Sequence, residues 1–356
     1  MTSHSLDPVS DTLFLPLAEG LIDLPEIGQV LFLRARLSEA LQDFPREKFV
    51  CDQSFKPGHE ALVRAGFALN DGDGETYALT LVLPPRQREE SRALLARAIL
   101  STAPGGTVMA AVSNTEGAKT VEGDLKTLAG HISSLSKNKC RVFWARIDDR
   151  SDTDLIREWA ALDAPREIEA DTSTGKPFTS RPGLFAWDHI DPGSKLLVDN
   201  LPPLLKGKVA DIGAGFGYLS DVALSRYLTI THLDLVEAEG RALDMARLNL
   251  ATYGDRVGYH WLDATKALPG SYDAIISNPP FHVDRADRHD IGKAFITSAA
   301  KAIVPGGQLW LVANRHLPYE DTLKGAFKSV NVIAENGYYK VFRAVGPKGK
   351  TKGVDI

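Results

Sequence analysis

The sequence predicts an α/β protein made of two tandem domains, the first a degenerate copy of the second. Three observations carry that expectation. The chain repeats itself at long range, one strand-to-helix turn is rich in glycine, and four polar residues fall in succession at the ends of apolar strands.

Internal repetition decides the organisation. YALTLVLPP at Tyr77–Pro85 and YDAIISNPP at Tyr272–Pro280 both open on tyrosine, run as a strand and stop at Pro-Pro. The two tyrosines and the two leading prolines, Pro84 and Pro279, are each 195 positions apart. A helical stretch follows each strand: REESRALLARAIL in one copy, DIGKAFITSAAKAIV in the other. Each helix then meets Pro-Gly-Gly, which reads as a turn into a new strand: PGGTVMAAVSN from Pro104 and PGGQLWLVAN from Pro305. Three matches in one order are harder to ascribe to chance than one. The expected division is an N-terminal extension over 1–24, a degenerate domain over 25–165, a linker over 166–189 and a second domain over 190–356. Within the linker, DTSTGKPFTSRPG is dense in residues that break regular structure.

Composition bounds the function without choosing it. A chain of 356 residues has room for two domains with a sizeable core. Its 44% hydrophobic, 24% charged and 8% aromatic content is that of an ordinary globular protein. A net charge of −5 argues against a uniformly basic protein that coats nucleic acid, yet leaves room for a local basic patch. Cys51 and Cys140 lie far apart with no metal-ligand spacing, so a reducing cytoplasm is the expected compartment. Glu19 and Asp23 interrupt the apolar stretch LFLPLAEGLIDLP, so neither a signal peptide nor a membrane span is expected.

The second copy holds the chemistry. VADIGAGFGYLSDVAL starts as a strand at Val209 and becomes a helix after Gly217. Asp211, Gly213, Gly215 and Gly217 form D-x-G-x-G-x-G, with Ala214 inside the turn. Glycine there lets the backbone approach a ligand that a Cβ would obstruct. A dinucleotide site prefers G-x-G-x-x-G, with a helix N-terminus facing a pyrophosphate. Here the third glycine comes one position early and an acid precedes the first glycine by two. That spacing suits a cationic nucleoside such as S-adenosylmethionine, whose amino-acid head Asp211 would orient; a plain glycine-rich turn is the equal alternative.

Two later acids favour the ligand. Glu237 ends the strand of HLDLVEAEG 20 residues after Gly217, the expected place for a carboxylate that accepts from ribose hydroxyls. The helix GRALDMARLNL reads as packing, and Asp263 then ends the short strand of YHWLDATKAL. Ile275 and Ile276 form a buried strand that Pro279 and Pro280 terminate, leaving Asn278 at its tip. Taken alone, Asn278 is as well explained as a turn former. Asp211, Glu237, Asp263 and Asn278 together occupy four successive strand ends, where open parallel sheets bind ligands. The first copy has Leu83 in place of Asn278, and no glycine turn is found there; QSFKPGHEAL, at the nearest plausible place, has a single glycine. The first domain is therefore expected to serve stability or substrate handling.

Other polar residues carry less. His282 and His289 form no nucleophile–base arrangement, and no metal is expected. Arg343, Lys348, Lys350 and Lys352 read as a solvated basic end, whereas Arg285, Arg288 and Lys293 lie closer to Asn278 and are the better candidates for phosphate contacts.

These residues resemble a known family. D-x-G-x-G-x-G, the acidic strand ends and N-P-P-F together are similar to class I S-adenosylmethionine-dependent methyltransferases that act on amino nitrogens. RPGLFAWDHIDPGSKLLVDNLP before the glycine turn, NPPFH at Asn278 and ANRHLPYEDTLKGAF from Ala313 narrow the resemblance to the small-subunit ribosomal RNA (guanine-N2) methyltransferases. SNTEGAKTVEGDL from Ser113 resembles the degenerate N-terminal domain of that family. The resemblance covers nearly the whole chain after about residue 25; Val283–Asp284 departs from it, where the family often has Asp-Gly.

The resemblance implies two Rossmann-like methyltransferase domains, S-adenosylmethionine as cofactor, and ribosomal RNA or the small subunit as partner of a cytoplasmic monomer. It implies that the Asn278 oxygen and the Pro279 carbonyl each accept a proton of an exocyclic amine, aiming its lone pair at the sulfonium methyl. Pro280 would fix the backbone and Phe281 would stack on the base. The same chemistry on adenine N6, a large-subunit guanine or a protein glutamine is the alternative, as is a non-catalytic RNA-binding or assembly factor.

Overall fold

The computed structural model describes residues 7–70, 72, 74–148, 151–168, 175–280 and 288–348, and divides the chain into two compact units, Met1–Ala164 and Pro165–Ile356. The first runs α1 (Pro8–Ala18), β1 (Val30–Leu33), α2 (Glu39–Gln42), β2 (Phe49–Asp52), α3 (Lys56–Arg64), β3 (Ala68–Leu69), β4 (Tyr77–Val82), α4 (Arg88–Leu100), β5 (Thr102–Ser113), α5 (Ala118–Ala129), β6 (Ser133–Lys137), β7 (Cys140–Arg146) and α6 (Thr153–Ala160). The second runs β8 (Arg166–Ile168), β9 (Phe178–Ser180), α7 (Pro192–Asp199), β10 (Gly207–Ile212), α8 (Tyr218–Arg226), β11 (Ile230–Glu237), α9 (Gly240–Asn249), β12 (Val257–Trp261) and β13 (Tyr272–Ser277). It continues with α10 (Arg288–Ala302), β14 (Ile303–Asn314), α11 (Glu320–Ala326), β15 (Phe327–Glu335) and β16 (Tyr339–Pro347).

Each unit is built on a seven-stranded sheet, ordered β3-β2-β1-β4-β5-β7-β6 in the first and β12-β11-β10-β13-β14-β16-β15 in the second. The two orders are the same, element for element. Five strands pair in parallel, and the sixth in the order, β7 or β16, pairs antiparallel with both of its neighbours. Burial on both faces explains the continuous apolar runs Val30–Leu33 and Ala274–Ile276. The expected pair of Rossmann-like domains is the fold observed.

Pairing register makes the duplication residue-specific. Leu33 lies between Asp52 and Val82, just as Ile212 lies between Val236 and Ser277. Counting from those levels, Phe32 stands for Asp211, Arg34 for Gly213, Gln53 for Glu237 and Leu83 for Asn278. Arg34 keeps a left-handed backbone, φ 51°, at the position where Gly213 has φ 73°. QSFKPGHEAL, expected nearest to the glycine turn, instead follows β2 and matches the turn after β11. The counterpart of the glycine turn is Arg34–Ser38, which has no glycine.

Three local expectations change. Residues 1–24 include α1, which packs on β5, β7 and α2 as α7 packs on β14, β16 and α8; Leu13 and Phe14 are buried in the first unit's core, so this helix belongs to the domain. Residues 166–189, expected as a linker, contain the antiparallel pair β8–β9, and Phe178 is fully buried in the core of the second unit, its ring 5.5 Å from that of Tyr218. The two Pro-Gly-Gly segments, expected as turns into new strands, lie inside β5 and β14 as bulges at which the pairing slips. A Cβ on Gly106 would lie 2.7 Å from the Ala78 carbonyl oxygen, and one on Gly307 2.8 Å from that of Asp273, so both bulges need glycine.

The apolar substitute in the first unit has a measurable role. Leu83 is 1% exposed and packed in that unit's core. Leu83→Ala should destabilise the first unit by about 2–5 kcal/mol, read by urea unfolding through Trp144 and Trp159. A change well below that range would mean that the position tolerates a polar group and that the degeneracy has another cause.

Candidate active site

The site begins with β10, bonded to a neighbour on each side. The Ser277 hydroxyl donates to the Ile212 carbonyl at 2.8 Å and the Gly213 N–H donates to the Val236 carbonyl at 2.8 Å. The carboxyl ends of β10, β11 and β13 are thereby held at one level. From it the chain turns through Gly213, Ala214 and Gly215, both glycines in the left-handed region at φ 73° and 56°. These three residues, with Phe216, Tyr218, Leu219 and Asn278, line one cleft; Phe185, Ala186, Asp191 and Ser194 complete it.

The glycines differ in what they permit. A Cβ on Gly215 would meet nothing within 4 Å, so this position opens onto the space a ligand would enter. A Cβ on Gly213 would come within 3.2 Å of the Phe295 ring, and one on Gly217 within 3.1 Å of Leu250 and 3.3 Å of Ala246. Gly217 therefore lets α8 pack against α9, and it does not line the cleft.

Asp211 lies beneath the turn and is completely buried. Its Oδ2 accepts from the Ser220 hydroxyl at 2.7 Å, and among the described residues its Oδ1 has no hydrogen-bond partner. Burial pushes the carboxyl up to about 7, the Ser220 hydrogen bond opposing the shift and the charge of Glu237 adding to it. Glu237, partly exposed, clasps the turn: its Oε2 accepts from the Gly215 N–H and its Oε1 from the Glu239 N–H, each at 2.8 Å. Desolvation raises its carboxyl too, against those backbone donors. Asp263 does not line the cleft; it accepts from the Thr265 N–H and hydroxyl at 3.0 and 2.6 Å and pairs with Lys266 at 3.4 Å.

Asn278 is 8% exposed at the end of β13. Its Nδ2 donates to Asp191 Oδ2 and to Ser194 Oγ, both at 2.8 Å, while its Oδ1 is buried with no partner among the described residues. Pro279 is buried and Pro280 exposed. Phe281, His282, Val283, Asp284 and Arg285 lie outside the described residues, as do the side chains of Arg288 and His289. Lys293 pairs with Asp290 at 3.6 Å. Arg343, read as part of a solvated end, sits within β16, where its Nε donates to Gln308 at 3.1 Å and its guanidinium lies 5.5 Å from the Trp310 ring. Lys350 and Lys352 are outside the described residues.

Sequence reasoning passed over the residues that hold the turn in place. Asn249, at the end of the helix read as packing, donates from Nδ2 to the carbonyls of Phe216 and Thr179 at 2.8 and 2.9 Å and accepts the Thr179 N–H at 2.7 Å. Lys176 donates to Asp221 and to the Asn249 carbonyl, both at 2.8 Å. Asp191 and Ser194 were equally unmarked, although Asp-Pro followed by serine is a recognisable helix start. Chemically, the arrangement offers two buried acceptors without donors among the described residues, Asp211 Oδ1 and Asn278 Oδ1, near a backbone turn open to a ligand. A group carrying an ammonium and a neighbouring amine fits that donor deficit.

A family model described as the methyltransferase small domain matches residues 175–343. The ribosomal RNA small subunit methyltransferase C of Escherichia coli O81 (strain ED1a) is 33% identical over 270 residues, 76% of this chain and 76% of that relative. The protein of the same name from Shigella flexneri serotype 5b (strain 8401) aligns with the same identity and coverage. Among solved structures, the T. thermophilus 16S rRNA N2 G1207 methyltransferase in complex with AdoMet and guanosine shares the fold, with a TM-score of 0.80 and 22% identity over 97% of this chain and 93% of that one. By its sequence, the chain belongs to the ribosomal RNA small subunit methyltransferase C family.

Proposed function

We propose that the second unit transfers a methyl group from S-adenosylmethionine to the exocyclic N2 amine of a guanine in small-subunit ribosomal RNA. The observation that carries this reading is the carboxamide of Asn278. Its nitrogen is tied back to Asp191 and Ser194, and its oxygen is a buried acceptor without a donor among the described residues, in the cleft lined by the glycine turn. An exocyclic amine on a purine is such a donor. The family relationship supports the choice of ribosomal RNA over the other planar amines.

When bound, the cofactor supplies a methyl group activated by a sulfonium. The chain supplies position. Gly213, Ala214 and Gly215 admit the ligand to the backbone, and the Asp211 carboxylate beneath them places negative charge where a cationic head would lie. Glu237, whose oxygens keep lone pairs beyond those used by Gly215 and Glu239, is the proposed acceptor for ribose hydroxyls. Asp263 keeps similar capacity for the nucleoside end. Asn278 Oδ1 and the Pro279 carbonyl accept the two amine protons, so the lone pair faces the methyl carbon. Phe281 is the proposed stacking partner of the base, and Arg285, Arg288 and Lys293 the proposed phosphate contacts. The first unit, with Phe32, Arg34, Gln53 and Leu83 at the corresponding places, is proposed to be non-catalytic, and the protein to act as a cytoplasmic monomer on the small subunit or its RNA.

Three outcomes test this reading. Gly215→Ala should weaken S-adenosylmethionine binding by at least about tenfold, equivalent to 1.4 kcal/mol, in calorimetry, with a folded protein that loses only about 1–2 kcal/mol of stability to the left-handed backbone, because the new methyl meets no protein atom. Unaltered affinity would place the pocket elsewhere. Gly213→Val is the poorer probe, since its side chain would also press on Phe295.

The pH dependence of stability follows from Asp211. Its folded-state value, about 7, exceeds the ordinary 3.8, so between those values the folded chain holds more protons than the unfolded chain. Stability must then fall as pH rises through that window. Urea unfolding of the ligand-free protein at pH 5 and pH 8 should show a larger loss in wild type than in Asp211→Asn; equal losses would contradict the burial argument.

Asn278→Ala should leave cofactor affinity intact while lowering single-turnover methyl transfer to purified small subunits by roughly 10² or more, since misplacement alone can cost that much. A rate within a few-fold of wild type would make Asn278 a turn residue.

A further inference from the structure

A carboxamide has two ends of similar shape, and only one orientation gives a site an acceptor. What selects the orientation of Asn278 lies 87 residues away in sequence, at the start of α7. Asp191 is the N-cap of that helix: its Oδ2 accepts the Ser194 N–H at 2.7 Å. The same Oδ2 accepts Asn278 Nδ2, and the Ser194 hydroxyl takes the other Nδ2 hydrogen. A carboxylate oxygen cannot donate, so the flipped amide would set oxygen against oxygen. With both Nδ2 hydrogens engaged, Oδ1 remains as the free end.

The first unit provides an internal comparison. Asp7-Pro8-Val9-Ser10 starts α1 as Asp191-Pro192-Gly193-Ser194 starts α7, and Asp7 caps its helix by accepting from Val9 and Ser10. There Leu83 replaces the asparagine, and the remaining Asp7 oxygen faces Arg36 at 3.5 Å. The cap is thus needed in both units, whereas its bond to a carboxamide occurs only in the second. The helix start differs to match. A Cβ on Gly193 would lie 3.0 Å from Asp191 Oδ2 and 2.9 Å from the Tyr339 ring, and the first unit has Val9 at this position.

We infer that Asp191, assisted by Ser194, is a positioning residue for methyl transfer, holding the Asn278 carboxamide with its oxygen toward the target amine. The inference rests on the reading of Asn278 as the amine clamp, and it adds a requirement on residues outside the strand-end motifs.

The test separates positioning from capping. Serine caps helices about as well as aspartate but is too short to reach the carboxamide, so Asp191→Ser keeps the cap and loses the anchor. Single-turnover methyl transfer on purified small subunits, at saturating S-adenosylmethionine, should fall by about 10²-fold, with cofactor affinity unchanged. Asp191→Asn can present its oxygen in place of Oδ2 and should restore the rate to within a few-fold. Ser194→Ala leaves the backbone cap intact and should slow transfer by about 2–10-fold, which keeps the inference testable if Asp191→Ser does not fold. In an Asn278→Ala background, Asp191→Ser should have no further effect on the rate; an equal further loss there would reveal a purely structural role and overturn the inference. A slow Asn278→Ala enzyme beside fast Asp191→Ser and Ser194→Ala enzymes would also overturn it, leaving the clamp intact. An Asn278→Ala enzyme at the wild-type rate would instead remove the clamp reading itself.

Discussion

Everything in the cleft hangs from the registration of three parallel strands. Ile212, Val236 and Ser277 lie side by side, and the Ser277 hydroxyl and Gly213 N–H lock that level with bonds to main-chain carbonyls. A single-residue slip of β13 would carry Asn278 to the other face of the sheet, since successive side chains alternate. Because helices cover both faces, only the carboxyl ends of the strands are left to receive a ligand, and the loops leaving them must converge there. Asn249 and the β8–β9 pair then hold the glycine turn from the outside, through Phe216 and Thr179.

The duplication shows which of those constraints both units share. Both units keep the same strand order, the same glycine bulges and the same Asp-Pro helix start. The first unit even keeps the left-handed residue after its central strand, now Arg34, at the cost of placing a side chain with a Cβ where glycine is the easy choice. What it discards is charge and acceptor capacity: Phe32, Gln53 and Leu83 stand where Asp211, Glu237 and Asn278 do. Gln53 still bonds the turn, donating to the Ala35 carbonyl at 2.7 Å, as Glu237 holds Gly215. Scaffold and chemistry are therefore separable in this fold.

Electrostatics explain why the second unit retains a costly arrangement. Two carboxyls raised mainly by burial sit under and beside one turn; the charge of Glu237 raises Asp211 further, and that of Glu239 raises Glu237. Ser220 and the backbone donors of Gly215 and Glu239 offset this only in part. A buried Oδ1 without a donor on Asp211, and another on Asn278, are unfavourable in the free protein. In the proposed function both receive donors that the cofactor and the amine bring.

The sequence by itself determined the elements and the chemistry at their tips. Apolar runs closed by Pro-Pro, the D-x-G-x-G-x-G turn and polar strand ends are local features, written by φ/ψ preferences and side-chain alternation; the repeat placed the Pro-Pro strands in two copies, and the glycine turn and polar tips in the second. The tertiary structure alone decided which of those residues meet. Asp211 lies beneath the turn, Gly217 serves helix packing, and Asp191, Ser194 and Asn249 bind residues 33 to 87 positions away. It also placed α1 and Phe178 inside domain cores, and moved the counterpart of the glycine turn from Gln53 to Arg34. Such contacts leave no periodicity in the chain, because a hydrogen bond between distant segments depends on how helices dock on a sheet and not on the residues that flank either partner.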